Sequence, residues 1–516
     1  MNRSANGAEA LLRAARAQGL SVCFANPGTT ELSLVRALEA VPGIRPVLGL
    51  FEGVCTGAAD GYARVTGETA LTLLHLGPGF ANGIANLHNA RRAGSPIVNL
   101  VGDHATWHRS FDAPLTSDID GLARPVGAVV TMERPSRIAR DVAHAARTAV
   151  AGGIVTMIVP TDIMDAQDPE LDAIEDIAPI TRAPVPTERI VACAGILREK
   201  RPVIFLLGGS ALHPDVQAEA AEIAQRCGAR LLMETYPAIV SLGGTLPRLE
   251  RLAYFPDDVI RQIDGAHVVL IGAKAPVSYF GYEGYPSLLV PEERMTVLAG
   301  PHEDVKGAVA TLWRAVADLP ASSKRHRDLP HVEQTPELTP GSIVASLIEQ
   351  LPEDSVISLE GSTLGGPWLQ QAHKARRHRV MTNTGGAIGQ GLPCAVGAAI
   401  GAPGRRIVSL QSDGSAQYTV QALWTMAREG LDVTIIIAAN HRYGILQTEL
   451  RRGGADVKRP VLERLTDLGQ PRIDWVALAA GYGVAAERAS SAEQFDAALG
   501  RGLAARGPYL IEAVLA

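Results

Sequence analysis

Residues 409–420 read SLQSDGSAQYTV, a strand-like apolar run that stops at one acid among small residues, Ser412-Asp413-Gly414-Ser415. An Asp-Gly pair after a strand is first of all a turn, because Gly takes φ > 0 and Asp bonds its own backbone; Asp is also a good helix N-cap. What gives the carboxylate chemistry to do is Asn440, 27 positions on, at the end of the apolar run VTIIIAAN and separated from Asp413 by the amphipathic VQALWTMAREGL. Two strands of a parallel sheet joined by a helix point the same way, so their C-terminal ends share one edge. A carboxylate and an amide oxygen held there are hard ligands suited to Mg²⁺, an ion that binds together with phosphate groups. Small residues around Asp413 admit backbone N–H groups to a phosphate, and a helix starting near Ser415 adds its positive end.

The elements needed to place these residues are visible as apolar runs of strand length: SVCFAN, ALTLLHL, PIVNLVG and IVTMIVP, then PVIFLLGG, RLLMET, HVVLIGA and MTVLAG, then SVISLE, RIVSLQS, VTIIIAAN and YLIEAVL. They lack the alternation of half-exposed strands and are separated by amphipathic segments such as DVQAEAAEIAQRCG, which predicts parallel sheets covered by helices on both faces. The fold class is α/β, doubly wound. Segments 166–186 and 319–340, rich in Pro and charge, read as linkers, leaving three units at 1–165, 186–320 and 340–516. No short repeat is present.

In this setting the Asp413 and Asn440 pattern resembles the thiamin-diphosphate motif of the acetolactate synthase and benzoylformate decarboxylase superfamily, usually Gly-Asp-Gly followed after a little under thirty residues by Asn-Asn. Ser412 replaces the first Gly and Ala439 the first Asn, while both metal-binding side chains remain. The resemblance implies a third ligand from the main-chain carbonyl of Arg442. It extends to Phe51-Glu52-Gly53 with AADGYARVTG (58–67), where Glu52 is the carboxyl group expected to exchange a proton with N1′ of the aminopyrimidine and so activate the cofactor's C2. LLHLGPGFANGIANLHNARRAGSPIV resembles the pyrimidine-side loop and puts His75 where benzoylformate decarboxylase has an active-site histidine; an imidazole there could shuttle protons, or be only a satisfied donor at a strand end. NPGTTEL places Thr29 at a substrate-contacting serine of that enzyme, whereas its second histidine has no counterpart in APVSYFGYEGYP (275–286).

GGAIGQGLP (385–393) matches the family loop that bends the cofactor, with Ile388 as the apolar wedge and the Gly386 carbonyl as acceptor for the 4′-amino group. LEGSTLGG (359–366) resembles the loop contacting the diphosphate, with Ser362 as donor and Gly414, Ser415 and Tyr443 as further contacts. In YGILQTELRR (443–452), Gln447 and Glu449 are either substrate contacts or part of a surface helix. Together the implied units are a pyrimidine-binding domain, a central Rossmann-like domain and a diphosphate-binding domain, and the resemblance covers nearly the whole chain.

The composition sets limits. A net charge of −6 with pI near 6.1 offers no footprint for nucleic acid. Five scattered cysteines without CxxC spacing argue for a reducing compartment and against a disulfide framework or zinc site. The N-terminal residues lack a secretory h-region, and the uncharged stretch 385–404 is a Gly- and Pro-rich turn feeding a helix rather than a membrane span, so a soluble cytoplasmic protein is expected. LGPGFANG is not the GxGxxG of a nicotinamide dehydrogenase. The implied activity is thiamin-diphosphate- and Mg²⁺-dependent decarboxylation of a 2-oxo acid, followed by carboligation as in acetolactate synthase or, alternatively, by protonation to an aldehyde. Active sites between subunits of a homodimer or homotetramer are implied as well. The central Gly208-Gly209 turn could suit a nucleotide, but the chain is expected to work without FAD. A non-catalytic homologue would be expected to lack Glu52, which is present.

Overall fold

A computed structural model describes residues 5–167, 170, 182–199, 201–320 and 336–515, so most of the two linker segments lies outside the described residues. Every apolar run above forms a strand. The N-terminal sheet holds β1 (Val22–Asn26), β2 (Arg45–Leu48), β3 (Ala70–Leu74), β4 (Ile97–Asp103), β5 (Ala128–Thr131) and β6 (Ile154–Pro160). They run in the order β2-β1-β3-β4-β6-β5, all parallel. The next unit contributes β7 (Val203–Leu207), β8 (Arg230–Met233), β9 (Val240–Leu242), β10 (Glu250–Arg251), β11 (His267–Ile271) and β12 (Met295–Ala299). Its sheet order, β10-β8-β7-β11-β12, is the 3-2-1-4-5 order of a doubly wound nucleotide-type sheet.

The C-terminal sheet adds β13 (Ser355–Leu359), β14 (His378–Met381), β15 (Ile407–Ser412), β16 (Val433–Ala439), β17 (Ala485–Ala489) and β18 (Tyr509–Val514). Its order is β17-β18-β16-β15-β13-β14-β9. The last strand is a finding the sequence pattern did not suggest: β9, from the central segment, pairs antiparallel with β14, so residues 240–242 belong to the C-terminal sheet and make it mixed. Three residues of VSL are too short to show a period, and the edge they occupy is reached only through tertiary packing.

The strands are apolar along their whole length because helices cover both faces; β3, β6, β7, β11, β13 and β16 are buried throughout. The N- and C-terminal units meet through two helices, Glu52–Thr66 and Gly391–Gly401, packed along each other. Small residues line the crossing. A Cβ on Gly57 would lie 2.6 Å from Pro393, one on Gly61 would lie 2.2 Å from the Cys394 carbonyl, and one on Gly397 would lie 1.9 Å from the Ala58 carbonyl. The stretch 385–404 is thus spent on a loop and this buried helix, and among the described residues no helix is long and apolar enough to cross a membrane.

Beside the crossing lies the ion pair of Asp60 and Arg64, a helical turn apart and both buried. Arg64 also donates to the Thr382 carbonyl at 2.7 Å and the Ala238 carbonyl at 3.2 Å, so one guanidinium touches all three units. The cysteines form no disulfide.

Candidate active site

β15 and β16 are neighbours in register, with Ser412 opposite Ala438, so Asp413 and Asn440 leave the sheet at one edge as their spacing requires. Asp413 is 2 % exposed; its Oδ1 accepts the Gly414 N–H at 2.9 Å and its Oδ2 the His441 N–H at 2.7 Å. Burial raises its pKa and these donors oppose the rise, as a cation would more strongly. Asn440 Oδ1 accepts from the Arg442 N–H at 3.1 Å, and Asn440 Nδ2 donates to Thr363 Oγ1 at 3.0 Å. His441 takes a positive φ of 55°, which turns the chain so that Arg442 follows the two side chains immediately.

Ser362 begins the helix Ser362–Gln371 and is exposed. Gly361 before it has φ of 93°, and a Cβ there would lie 2.1 Å from Ser412 Oγ, so glycine is what lets this loop reach the Asp413 edge. Ser415 is buried and donates to the Ser412 carbonyl at 3.1 Å, while the Tyr443 ring lies against Gly414, where a Cβ would come within 2.7 Å. Among the described residues no group of three His, Cys, Asp or Glu side chains could hold a metal, so a cation here would draw on one carboxylate, one amide and main-chain or ligand oxygens.

On the N-terminal unit, Glu52 opens its helix in a buried position and accepts from Asn82 Nδ2 at 3.0 Å. Its other oxygen faces a space kept open by Gly79, where a Cβ would lie 2.8 Å from Glu52 Oε1 and 3.2 Å from His75 Cβ. Glu52 and His75 therefore flank one small gap. Asn86 Nδ2 donates to the carbonyls of Gly53 at 2.8 Å and Gly389 at 3.2 Å, stitching the Glu52 helix to the loop that carries Gly386 and Ile388. Gly386 and Gly389 both have positive φ, 79° and 95°, which gives the loop its bend.

Three residues that sequence reasoning passed over complete the picture. Glu31, fully buried, accepts from the Gly28 N–H at 2.7 Å and the Thr30 hydroxyl at 2.6 Å, and its Oε2 stands 2.8 Å from His75 Nδ1. The hydroxyl near His75 is that of Thr30, at 3.3 Å, whereas Thr29 is exposed one residue earlier. Glu360 accepts from the N–H groups of Gly389 and Gly391, both at 2.6 Å, and so anchors the bend from inside; burial pushes its carboxyl up in pKa against those donors. Tyr279, from the central loop without a histidine, puts its hydroxyl where a Gly386 Cβ would be, 2.1 Å away. Glu31 and Glu360 lie inside the quoted NPGTTEL and LEGSTLGG, but an acid adjacent to a motif carries no period that marks it. Gln447 is engaged at both ends of its amide, donating to Thr466 at 3.1 Å and accepting from Arg451 at 3.1 Å, and its helix Gly444–Arg452 has no buried residue.

The donor set fits thiamin diphosphate and a hard cation: oxygen ligands at one sheet edge, a bent glycine loop, and a carboxylate open on a gap that only glycine leaves. Comparison with known proteins agrees on thiamin diphosphate. Residues 5–123 match the thiamine pyrophosphate enzyme N-terminal TPP binding domain and residues 365–513 the C-terminal TPP binding domain. A Mycobacterium tuberculosis protein provisionally named acetolactate synthase large subunit IlvX is 44 % identical over 99 % of both chains. Benzoylformate decarboxylase of Pseudomonas aeruginosa is 27 % identical over 96 % of both. The solved thiamine diphosphate-dependent 4-hydroxybenzoylformate decarboxylase of Rhodococcus jostii RHA1 superposes with a TM-score of 0.84 over 99 % of each chain at 26 % identity. With both cofactor-binding domains matched and relatives aligned along its whole length, the chain belongs to the thiamine pyrophosphate enzymes, as a thiamin-diphosphate-dependent enzyme related to acetolactate synthases and benzoylformate decarboxylases.

Proposed function

We propose that the protein is a Mg²⁺-dependent enzyme that decarboxylates a 2-oxo acid and, as an acetolactate-synthase-like carboligase, joins the remaining fragment to a second carbonyl. The observation that carries this reading is the juxtaposition of Asp413 and Asn440 at one sheet edge, beside the Gly386–Gly391 bend anchored by Glu360. Asp413, Asn440 and the Arg442 carbonyl would hold the cation, with Ser362, Gly414, Ser415 and Tyr443 around the diphosphate. Ile388 and the Gly386 carbonyl would shape the rest. Thiamin diphosphate, when bound, supplies a carbon nucleophile and an electron sink for the decarboxylation.

The chain's own groups divide the remaining work. Glu52, with one oxygen fixed by Asn82 and the other open, holds and returns a proton at the aminopyrimidine N1′. His75, oriented by Glu31, carries a proton to or from substrate-derived oxygen or carbon. A histidine so placed favours a second reading, protonation to an aldehyde as in a simple decarboxylase. Thr29 and Gln447 are the weaker substrate candidates. No flavin is proposed: the Gly209 N–H, which a pyrophosphate would need, is directed at 3.4 Å toward the Glu234 carboxyl. The proposed assembly is a homodimer or homotetramer in the cytoplasm, with no nucleic-acid or membrane partner.

The test is titration calorimetry and circular dichroism with thiamin diphosphate and Mg²⁺, on wild type, Glu52→Ala and Asp413→Ala, followed by product analysis with pyruvate and benzoylformate. Asp413→Ala should abolish metal-dependent binding, and Glu52→Ala should retain binding while losing turnover by at least about 10²-fold. Acyloin or acetolactate-type products favour the carboligase and aldehyde alone favours the decarboxylase. A wild-type protein that bound no cofactor would defeat the reading.

A further inference from the structure

Aromatic residues make up only 4 % of the chain, yet six rings gather at one junction between the central and C-terminal units. Tyr279 is 5.8 Å from Tyr236 and 5.1 Å from Tyr254, which is 4.8 Å from Phe255; Phe280 and Tyr282 extend the group. Arg251 lies over the Tyr236 ring at 5.5 Å and Arg452 over Phe255 at 3.8 Å. Contacts of this kind, edge to face and cation to face, hold a ring in one orientation. The orientation they impose on Tyr279 directs its phenol out of the central unit and against Gly386.

Two features in combination separate Tyr279 from the other tyrosines of the cluster. Tyr282 spends its hydroxyl on Glu449 at 3.1 Å, whereas among the described residues the Tyr279 hydroxyl has no hydrogen-bond partner. Tyr279 also keeps 38 % of its surface open. Nor is it only a plug: Gly386 needs its positive φ of 79° whatever stands beside it, so a tyrosine is not required to enforce glycine there. Burial raises the pKa of this phenol, with Arg92 pulling the other way, so it remains a neutral O–H donor at working pH.

We infer that Tyr279 is a substrate-positioning residue, whose hydroxyl donates a hydrogen bond to an oxygen of the 2-oxo acid bound beside the Gly386 corner. The inference rests on reading residues 385–391 as the cofactor-bending loop. The cluster's task is to hold that donor still before substrate arrives, which lowers the ordering cost of the contact. Arg92, whose charge is felt at the phenol, makes the corner favourable for an anion.

Tyr279→Phe and Tyr279→Ala separate the hydroxyl from the ring. The measurements are the cofactor Kd by titration calorimetry, the melting temperature, and kcat and KM for the better of pyruvate and benzoylformate. Tyr279→Phe should raise KM about tenfold, the scale of one hydrogen bond to a charged group, with cofactor Kd within about twofold of wild type and an unchanged melting temperature. Tyr279→Ala should show at least the same KM and a lower melting temperature. A wild-type KM in Tyr279→Phe would overturn the inference and leave the residue a packing element. A cofactor Kd weakened in step with KM would overturn it too, by assigning the hydroxyl to the cofactor. Wild-type protein unable to bind the cofactor would instead overturn the underlying reading of the loop, and this inference with it.

Discussion

Glu31 shows how much one buried acid can decide. Its carboxylate collects the Gly28 N–H, the Thr30 hydroxyl and the His75 ring on two oxygens, so the imidazole is tied to a fixed acceptor rather than free to rotate. A carboxylate in that place selects the tautomer with the proton on Nδ1 and leaves Nε2 to exchange protons with a ligand. Gly102 makes the arrangement possible, since a Cβ there would lie 1.7 Å from Glu31 Oε1. With His75 as the proposed proton carrier, Glu31→Gln should lower kcat by about 10²-fold and leave cofactor affinity unchanged, as steady-state kinetics beside calorimetry would record. Equal loss of both would point to a collapsed loop. At this scale the sequence displayed the groups that carry a motif, Glu52, Asp413 and Asn440, but not those that orient them. Glu31 and Glu360 are single acids in loops, and only the folded chain shows which backbone amides they face.

Among the elements, the turn between β7 and the helix Pro214–Cys227 carries a pH dependence. Glu234, just past β8, reaches back to the Gly209 N–H, and burial pushes its carboxyl from an ordinary 4.5 up to about 7, with Gly209 and Lys274 opposing. A raised acid pKa means that the folded state keeps a proton the unfolded chain has already lost. Stability therefore falls as pH rises through the window from 4.5 to about 7, and the loss is complete above it. Glu234→Gln, a neutral side chain that can still accept from Gly209, should melt with wild type near pH 5 and a few degrees above it at pH 8; thermal scans at the two values decide. Element by element, strands buried along their whole length were legible because their apolar runs are continuous. The short edge strands β2, β5, β10 and β17 were not, since an edge strand needs no unbroken apolar pattern, and β14, inside its sheet but four residues long, is too short to show one; for β9 the partner sheet itself lay in another unit.

For the whole molecule, the three units are less separable than their linkers suggest. Arg64 binds Asp60 within its own helix, the Ala238 carbonyl in the central segment and the Thr382 carbonyl in the C-terminal unit. Replacing it leaves a buried carboxylate without its counter-charge, so Arg64→Met should cost about 3–5 kcal/mol. Urea denaturation should show a lowered midpoint that Asp60→Asn, added to the same chain, partly restores. Recovery marks the uncompensated charge as the cause; no recovery would place the loss in the interdomain contacts. The crossing of the Glu52 and Gly391 helices has a further consequence for how such chains can be recombined. Backbones that approach until a single methyl group collides, at Gly61 and again at Gly397, must be matched as a pair. A chimaera that took its first domain from one relative and its last from another would join two half-seams never shaped to each other. The module that can be exchanged is the first and last domains together, carrying with them residues 238–242 of the central segment, which pair with Arg64 and with β14.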